Sequence, residues 1–224
     1  ELDWERWQGP VAPHRAYCPL VLPGCWRFLS DYGCSTLGDW ACHLLDPVFW
    51  TLDPDLPEAV TVDSYGAWDP ARHGMTFPKG DRFTLEFPAK NGRAPFKIVW
   101  YDGEACKTVP RPKEFGDKDP FPPHAPRVKG HMPEGGMIYG DTGIIQYGSH
   151  GAKDLRLLPA ERMEQVKAAN GFPSPRYPRV PGGSPYREWL DAIVKGTPVG
   201  SDFAYAGKMT QIALMALAAL AEPG

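Results

Sequence analysis

The chain has 224 residues, 42% of them hydrophobic and 12% aromatic, and its formal net charge is −3. This composition predicts a folded domain with one ample hydrophobic core and excludes an intrinsically disordered chain. The sequence has no basic run, which argues against nucleic acid and anionic membranes as partners. No apolar stretch reaches the roughly 18 residues that a membrane-spanning helix needs.

Residues 1–35 are rich in Pro, Trp and Tyr and are predicted to be mostly loop. An amphipathic helix is predicted next, over residues 36–52, because apolar residues recur at i, i+3, i+4 and i+7 spacing. This apolar face consists of Leu37, Trp40, Ala41, Leu44, Leu45, Val48, Phe49 and Leu52. Pro47 cannot donate a backbone hydrogen bond to the carbonyl of His43, so the helix should kink or end its first segment at Pro47.

The polar side of this helix carries Asp39, His43 and Asp46, each within one turn of the next. An acid and a histidine four residues apart on a rigid helix can act as a general acid/base pair. A purely structural interpretation is also open. Thr36 as N-cap and Asp39 at N3 fit a capping box, and His43 fits a buried histidine with one satisfied hydrogen bond.

The rest of the chain alternates strands, a proline-rich segment and helices. Seven prolines within residues 108–134 exclude a regular element there and predict a binding lid or a disordered insertion. The other predicted elements are strands near 58–69, 81–88 and 95–102, a turn and strand pair at 135–148, and helices at 159–170, 184–195 and 205–221.

These elements predict the α+β class, with an open, mostly antiparallel or mixed sheet and helices packed on one face. An apolar sheet face that the helices leave bare would be covered by another subunit, so we expect a homo-oligomer that forms through that face. The alternative is a lone monomer whose sheet face is polar.

The five cysteines are odd in number and contain no C-x-x-C pair, so no metal site is predicted from them. They are Cys18, Cys25, Cys34, Cys42 and Cys106. Reduced thiols favour the cytoplasm, and the periplasm stays open if a signal segment has been removed. Cys34 and Cys42 are close enough in sequence to His43 to line the same cleft.

Four sequence runs resemble one known family. Residues 26–46, which contain the run Gly38-Asp39-Trp40-Ala41-Cys42-His43, resemble the substrate-domain signature of the Gfo/Idh/MocA oxidoreductases, the family of glucose–fructose oxidoreductase and inositol dehydrogenase. Residues 140–148 resemble the recurring G-x-x-G strand pair of that family, residues 186–192 its late helix, and residues 203–207 the entry to its last helix.

The resemblance implies that residues 1–224 form one substrate-binding and oligomerisation domain, the catalytic-histidine half of an NAD(P)-dependent sugar or cyclitol dehydrogenase. In that scheme His43 accepts the proton of the substrate hydroxyl, and Asp39 binds a hydroxyl or orients His43. Further candidates for substrate binding are aromatic or polar residues near the helix or on the later turn, namely Trp26, Arg27, Tyr32, Tyr147 and His150. Those near the helix fit core and rim positions equally well.

Two features of the complete family are missing from this sequence. It has no strand followed by G-x-G-x-x-G and no Glu-Lys-Pro run, which carries the family's catalytic lysine. The segment before the helix, usually rich in glycine in this family, is Gly33-Cys34-Ser35 in this sequence. The side chains of Cys34 and Ser35 would narrow the nicotinamide side of the cleft. We therefore expect the nucleotide-binding domain to be absent, no cofactor to be bound by this chain alone, and NAD or NADP to be used only in a complete enzyme with a separate nucleotide-binding domain.

Two other functions stay open at this point. A stand-alone lyase, isomerase or hydrolase acting on a carbohydrate would use Asp39 and His43 for acid–base work, and a metal could be recruited by His43, an acid and His124 or His131. A non-catalytic sugar-binding or assembly module would keep its sugar affinity without His43.

Overall fold

The structure is a computed structural model that describes residues 1–66, 68–115, 134–174 and 179–221. Mixed helices and small antiparallel sheets confirm the predicted α+β class. The helices are α1 (Trp4–Gln8), α2 (Ser35–Leu44), α3 (Asp46–Leu52), α4 (Pro70–His73), α5 (Ala160–Ala168), α6 (Pro185–Lys195) and α7 (Phe203–Ala218). Among these residues no helix is long and apolar enough to cross a membrane.

The strands form two separate three-stranded sheets, where the sequence predicted one open sheet. The strands are β1 (Ala59–Ser64), β2 (Asp81–Phe87), β3 (Phe96–Tyr101), β4 (Gly135–Gly140), β5 (Gly143–Gly148) and β6 (Arg156–Leu158). The first sheet has the order β1-β2-β3 and the second β4-β5-β6, and every pairing is antiparallel.

The main hydrophobic core lies between one face of the first sheet and the helices α2, α3 and α7. Strand β2 alternates as a half-buried strand should: Phe83, Leu85 and Phe87 are buried, and the residues between them are half-buried. Helix α7 adds Ile212 and Ala216, which are four residues apart and therefore share one helix face.

The predicted break at Pro47 is confirmed. Helix α2 ends at Leu44, and Pro47 lies in the first turn of α3, where its missing N–H costs no helical hydrogen bond. The hydroxyl of Tyr205 on α7 donates to the carboxylate of Asp46 over 2.6 Å. Burial and this carboxylate raise the pKa of Tyr205. Asp46 therefore anchors α3 to α7 and does not continue the polar side of α2.

Several other predictions differ from the structure in detail. The strand predicted near residues 58–69 is only Ala59–Ser64, because Asp69 leaves the strand and caps α4 by accepting from the N–H of Ala71 over 2.9 Å. Strand β6 and the short helices α1 and α4 were not predicted. Residues 116–133, which make up most of the proline-rich stretch, lie outside the described residues, so the lid stays a prediction.

The second sheet is joined to the first core by Tyr147 of β5. This side chain is only 4% exposed, and its hydroxyl donates to the carbonyl of Leu44 at the end of α2 over 2.8 Å. Burial raises the pKa of Tyr147 to about 12. The paired residue on β4 is Gly136, where a Cβ would lie 2.2 Å from the Tyr147 hydroxyl oxygen. Glycine at that position leaves room for the phenol ring.

The outward face of the first sheet is polar. Two cross-strand ion pairs occupy it, Arg82 with Asp63 and Lys97 with Glu86, and Val99 is 43% exposed beside them. This face is therefore less apolar than the sequence predicted, and an interface formed through it would be largely polar.

We predict that Tyr147→Phe destabilises the fold by about 0.5–1.5 kcal/mol, because the hydrogen bond from the phenol to the carbonyl of Leu44 is lost. Urea unfolding monitored by tryptophan fluorescence measures the change in the free energy of unfolding. Tyr139→Phe on the paired strand is the matched control, since Tyr139 is 60% exposed, and its cost should stay within about 0.5 kcal/mol. Equal stabilities for the two variants would contradict the anchoring role of Tyr147.

Candidate functional site

Helix α2 begins differently from the sequence prediction. It starts at Ser35, with Cys34 as N-cap and no side-chain capping hydrogen bond, so the capping box formed by Thr36 and Asp39 is wrong. The physical reason is burial. Ser35 is buried with a φ of 57°, and Cys34 packs beneath Gly38, where a Cβ would lie 2.3 Å from the sulfur.

Asp39 is paired with Arg27 in place of a cap. Arg27 Nε lies 3.1 Å from Asp39 Oδ2, and each side chain is 33% exposed. The guanidinium carbon of Arg27 also lies 5.6 Å from the centre of the Trp26 ring, within the range of a cation–π contact. Three of the predicted site residues thus lie together at the start of α2.

Gly33 allows the loop before α2 to pass close to the backbone of Arg27. A Cβ on Gly33 would lie 2.4 Å from the Cα of Arg27, so only glycine allows the two backbone segments to come this close. The N–H of Gly33 donates to the carbonyl of Leu29 over 2.8 Å and closes the loop that leads into α2.

His43 lies in the last turn of α2 and is half-buried. Its ring stacks on that of His150, with centroids 4.1 Å apart and planes inclined by 20°. Trp40 meets both imidazoles edge-on, at 5.4 Å from His43 and 5.2 Å from His150. The structure therefore brings together two predicted site residues that are more than a hundred positions apart in the sequence.

Two further polar residues stand behind His150. The hydroxyl of Ser149 lies 2.8 Å from His150 Nδ1 and 3.0 Å from a carboxylate oxygen of Glu134. Neither Ser149 nor Glu134 was predicted from the sequence. The signal was weak: glycines 148 and 151 flank the pair Ser149-His150 and mark a tight turn, but nothing in the sequence joins that turn to Glu134.

The remaining predicted site residues use their polar groups within the fold. Tyr147 bonds to the carbonyl of Leu44, as described above. The hydroxyl of Tyr32 donates to Gln8 of α1 over 3.0 Å, and the same Gln8 oxygen accepts from the N–H of Arg15 over 2.7 Å. Both tyrosines hold segments in place near the candidate site.

The two nearby cysteines differ in environment. Burial is the larger cause of the raised pKa of the Cys34 thiol, and the nearby carboxylate of Asp39 raises it further. This thiol therefore stays protonated and is a poor nucleophile at neutral pH. Cys42 is exposed, and its sulfur lies 3.9 Å from the carbonyl oxygen of Asp39.

All strand pairings among the described residues are antiparallel, so these residues contain no βαβ unit with a phosphate-binding turn of the kind that holds a dinucleotide. They also contain no group of three or more His, Cys, Asp or Glu residues that could hold a metal ion. His124 and His131, named as metal ligands for the alternative function, lie outside the described residues.

A cavity of about 430 Å³ lies between the loop before α2 and the end of α7. Its lining includes Gly33, Cys34, Trp68 and Leu217, and neither Asp39 nor His43 belongs to it. The acid–base groups and this cavity are therefore separate features of the structure.

Comparison with known proteins identifies one family. Residues 1–74 match the model described as oxidoreductase family, C-terminal alpha/beta domain, of the Gfo/Idh/MocA group. The match contains Trp26, Arg27, Tyr32, Asp39 and His43 and ends before the second sheet. No curated protein matches the chain. The resemblance predicted from the sequence motifs is confirmed over residues 1–74, where the chain is similar to the C-terminal domain of the Gfo/Idh/MocA oxidoreductases.

Proposed function

We propose that this chain is the substrate-binding, catalytic-histidine half of an NAD(P)-dependent sugar or cyclitol dehydrogenase. The observation that carries the proposal is the position of His43: it lies in the family-matched segment, half-buried at the end of a rigid helix, with its ring held by Trp40 and His150. A group that exchanges a proton with a bound hydroxyl needs such a fixed orientation and incomplete burial.

The roles within the site follow from its contacts. His43 is the proton acceptor, a role that suits imidazole because its charge changes near neutral pH. Asp39 and Arg27 bind substrate hydroxyl groups, because a third of each charged side chain is exposed beside the helix. In the described structure Asp39 is held by Arg27, so we assign Asp39 to hydroxyl binding and not to the orientation of His43.

The redox chemistry requires a partner. Nicotinamide bound in a complete enzyme would supply the hydride chemistry, and the described residues include no βαβ unit that would hold it. We therefore propose that a separate nucleotide-binding domain brings NAD or NADP and that this chain alone oxidises no polyol.

We also propose a reducing compartment, the cytoplasm, for this chain. All five cysteines are free, and Cys25 and Cys42 are exposed. Exposed thiols are readily oxidised outside reducing compartments.

One observation favours the alternative acid–base function. A second imidazole stacked on the first offers two proton-exchanging groups, as a lyase or isomerase that works without nicotinamide would need. Turnover of a carbohydrate by the purified chain without added nucleotide would support this alternative. Sugar binding that survives His43→Ala unchanged would instead support a non-catalytic binding module.

We predict that His43→Ala weakens the binding of a polyol to the chain by about two- to tenfold, the loss expected for one hydrogen bond. Calorimetric titration with myo-inositol and with D-glucose measures this change. In an enzyme reconstituted with its nucleotide-binding domain, turnover should fall by about 10²–10⁴-fold because the base is lost. His14→Ala is the control, since His14 is exposed and its Nε2 lies 3.2 Å from the carbonyl oxygen of Gly9, within its own loop. Unchanged turnover in the reconstituted His43→Ala enzyme would refute the proposal.

We predict that Asp39→Asn weakens polyol binding while costing no more than about 1 kcal/mol of stability, because partly exposed ion pairs contribute little. Asp63→Asn is the matched control. Asp63 pairs with Arg82 on the outward sheet face, and their side chains are 44% and 39% exposed, respectively. The Asp63→Asn variant should therefore show a similar stability change and unaltered sugar binding. A loss of several kcal/mol in Asp39→Asn would point to a structural role.

We predict that the chain forms a dimer or tetramer through the outward face of the first sheet. Because this face is polar, the association should be weak and dependent on concentration. Light scattering should give masses above the 24.8 kDa of one chain, and Val99→Glu should shift the distribution to the monomer. Leu190→Glu on α6, where Leu190 is 52% exposed, serves as the comparison. Dissociation by Leu190→Glu alone would place the interface on α6.

A further inference from the structure

The turn after β5 holds His150 in an unusual backbone conformation. His150, Ala152 and Asp154 have φ values of 55°, 53° and 53°, and Gly151 between them has 98°. Left-handed conformations are unfavourable for residues with a Cβ and persist only where the surroundings impose them. The turn is closed by a hydrogen bond from the N–H of Gly148 to the carbonyl of Lys153 over 2.6 Å. The imidazole of His150 extends from this turn and stacks on that of His43.

The hydrogen bonds behind His150 fix where its proton lies. Glu134, when ionised, can only accept hydrogen bonds, and a serine hydroxyl has a single hydrogen to donate. The hydrogen of Ser149 must therefore point to Glu134, at 3.0 Å. The oxygen of Ser149 is then left to accept from His150 Nδ1, at 2.8 Å. Neutral His150 accordingly carries its proton on Nδ1, and Nε2 is left with a free lone pair.

We propose that Ser149 and Glu134 are positioning residues that hold His150 in the Nδ1–H tautomer, so that Nε2 accepts a hydrogen bond from a second substrate hydroxyl beside the one that His43 deprotonates. The inference rests on the proposed function for its substrate, a polyol that offers neighbouring hydroxyl groups. While Nε2 accepts from the substrate hydroxyl, the Nδ1–H keeps its bond to Ser149, and the Glu134 carboxylate behind Ser149 strengthens this chain of hydrogen bonds.

The stacked geometry holds His150 in place. With the rings 4.1 Å apart and their planes inclined by 20°, the imidazoles of His150 and His43 lie face to face. Trp40 packs edge-on against both rings, so neither can turn freely. The orientation of His150 is therefore fixed by packing on one side and by Ser149 on the other.

Long-range proton–nitrogen correlation NMR of the whole chain at about pH 8.5, where ordinary imidazoles are neutral, distinguishes the two tautomers. His150→Gln identifies the signals of His150 by their loss. We expect wild-type His150 to show a protonated Nδ1 and an unprotonated Nε2. Ser149→Ala should abolish the preference for Nδ1–H, and Ser149→Thr, which keeps the hydroxyl, should retain it. Glu134→Gln should reduce the preference for Nδ1–H, because an amide can donate to Ser149 and so reverse the direction of both hydrogen bonds.

Ser30→Ala is the control, because the Ser30 hydroxyl bonds to the carbonyl of Gly74 and to no histidine; it should leave His150 unchanged. A wild-type His150 with its proton on Nε2, or a preference for Nδ1–H that survives Ser149→Ala, would overturn the inference. Adding myo-inositol to the same sample tests the proposed function separately. A correct tautomer without any response to the polyol would uphold the positioning role and count against the substrate class.

Discussion

The hydrogen bond from Tyr147 to the carbonyl of Leu44 is the constraint on which the candidate site depends. It joins the second sheet to the end of α2 across 103 positions of the sequence, and Gly136 leaves the space that the phenol ring needs. The last carbonyls of a helix have no partner within the helix, and the bond from Tyr147 to one of them ties β5 to α2. The turn that follows β5 then lies directly against the last turn of that helix.

That placement divides the site into two parts along α2. Asp39, near the middle of the helix, is paired with Arg27 of the preceding segment, and His43, at the end of the helix, stacks on His150 of the second sheet's turn. Charged groups suit the binding of hydroxyls, and imidazoles suit the exchange of protons. Trp40 lies between these two parts in the sequence and contacts both imidazoles, while the opposite side of α2 packs into the core.

The family match and the geometry support the proposal in different ways. The match covers residues 1–74 and therefore the charged pair and His43, whereas His150, Ser149 and Glu134 lie beyond it. A shared fold does not by itself define an activity. The role of the second sheet in the site consequently rests on its contacts with α2, and the roles of Asp39 and His43 rest on both lines of reasoning.

The sequence by itself determined the local elements, since helix periodicity, strand alternation and proline positions act over a few residues. The break at Pro47, the strands β2 and β3 and the helices α5 to α7 followed from those signals, and so did the candidates Asp39 and His43 on one side of α2. Only the tertiary structure decided their partners. Helix α2 begins at the buried Ser35 without the expected capping box, and the carboxylate of Asp39 pairs with Arg27. The contact between Tyr147 and Leu44 places His150 against His43. Such pairings depend on packing between segments far apart in the chain, which no local pattern encodes.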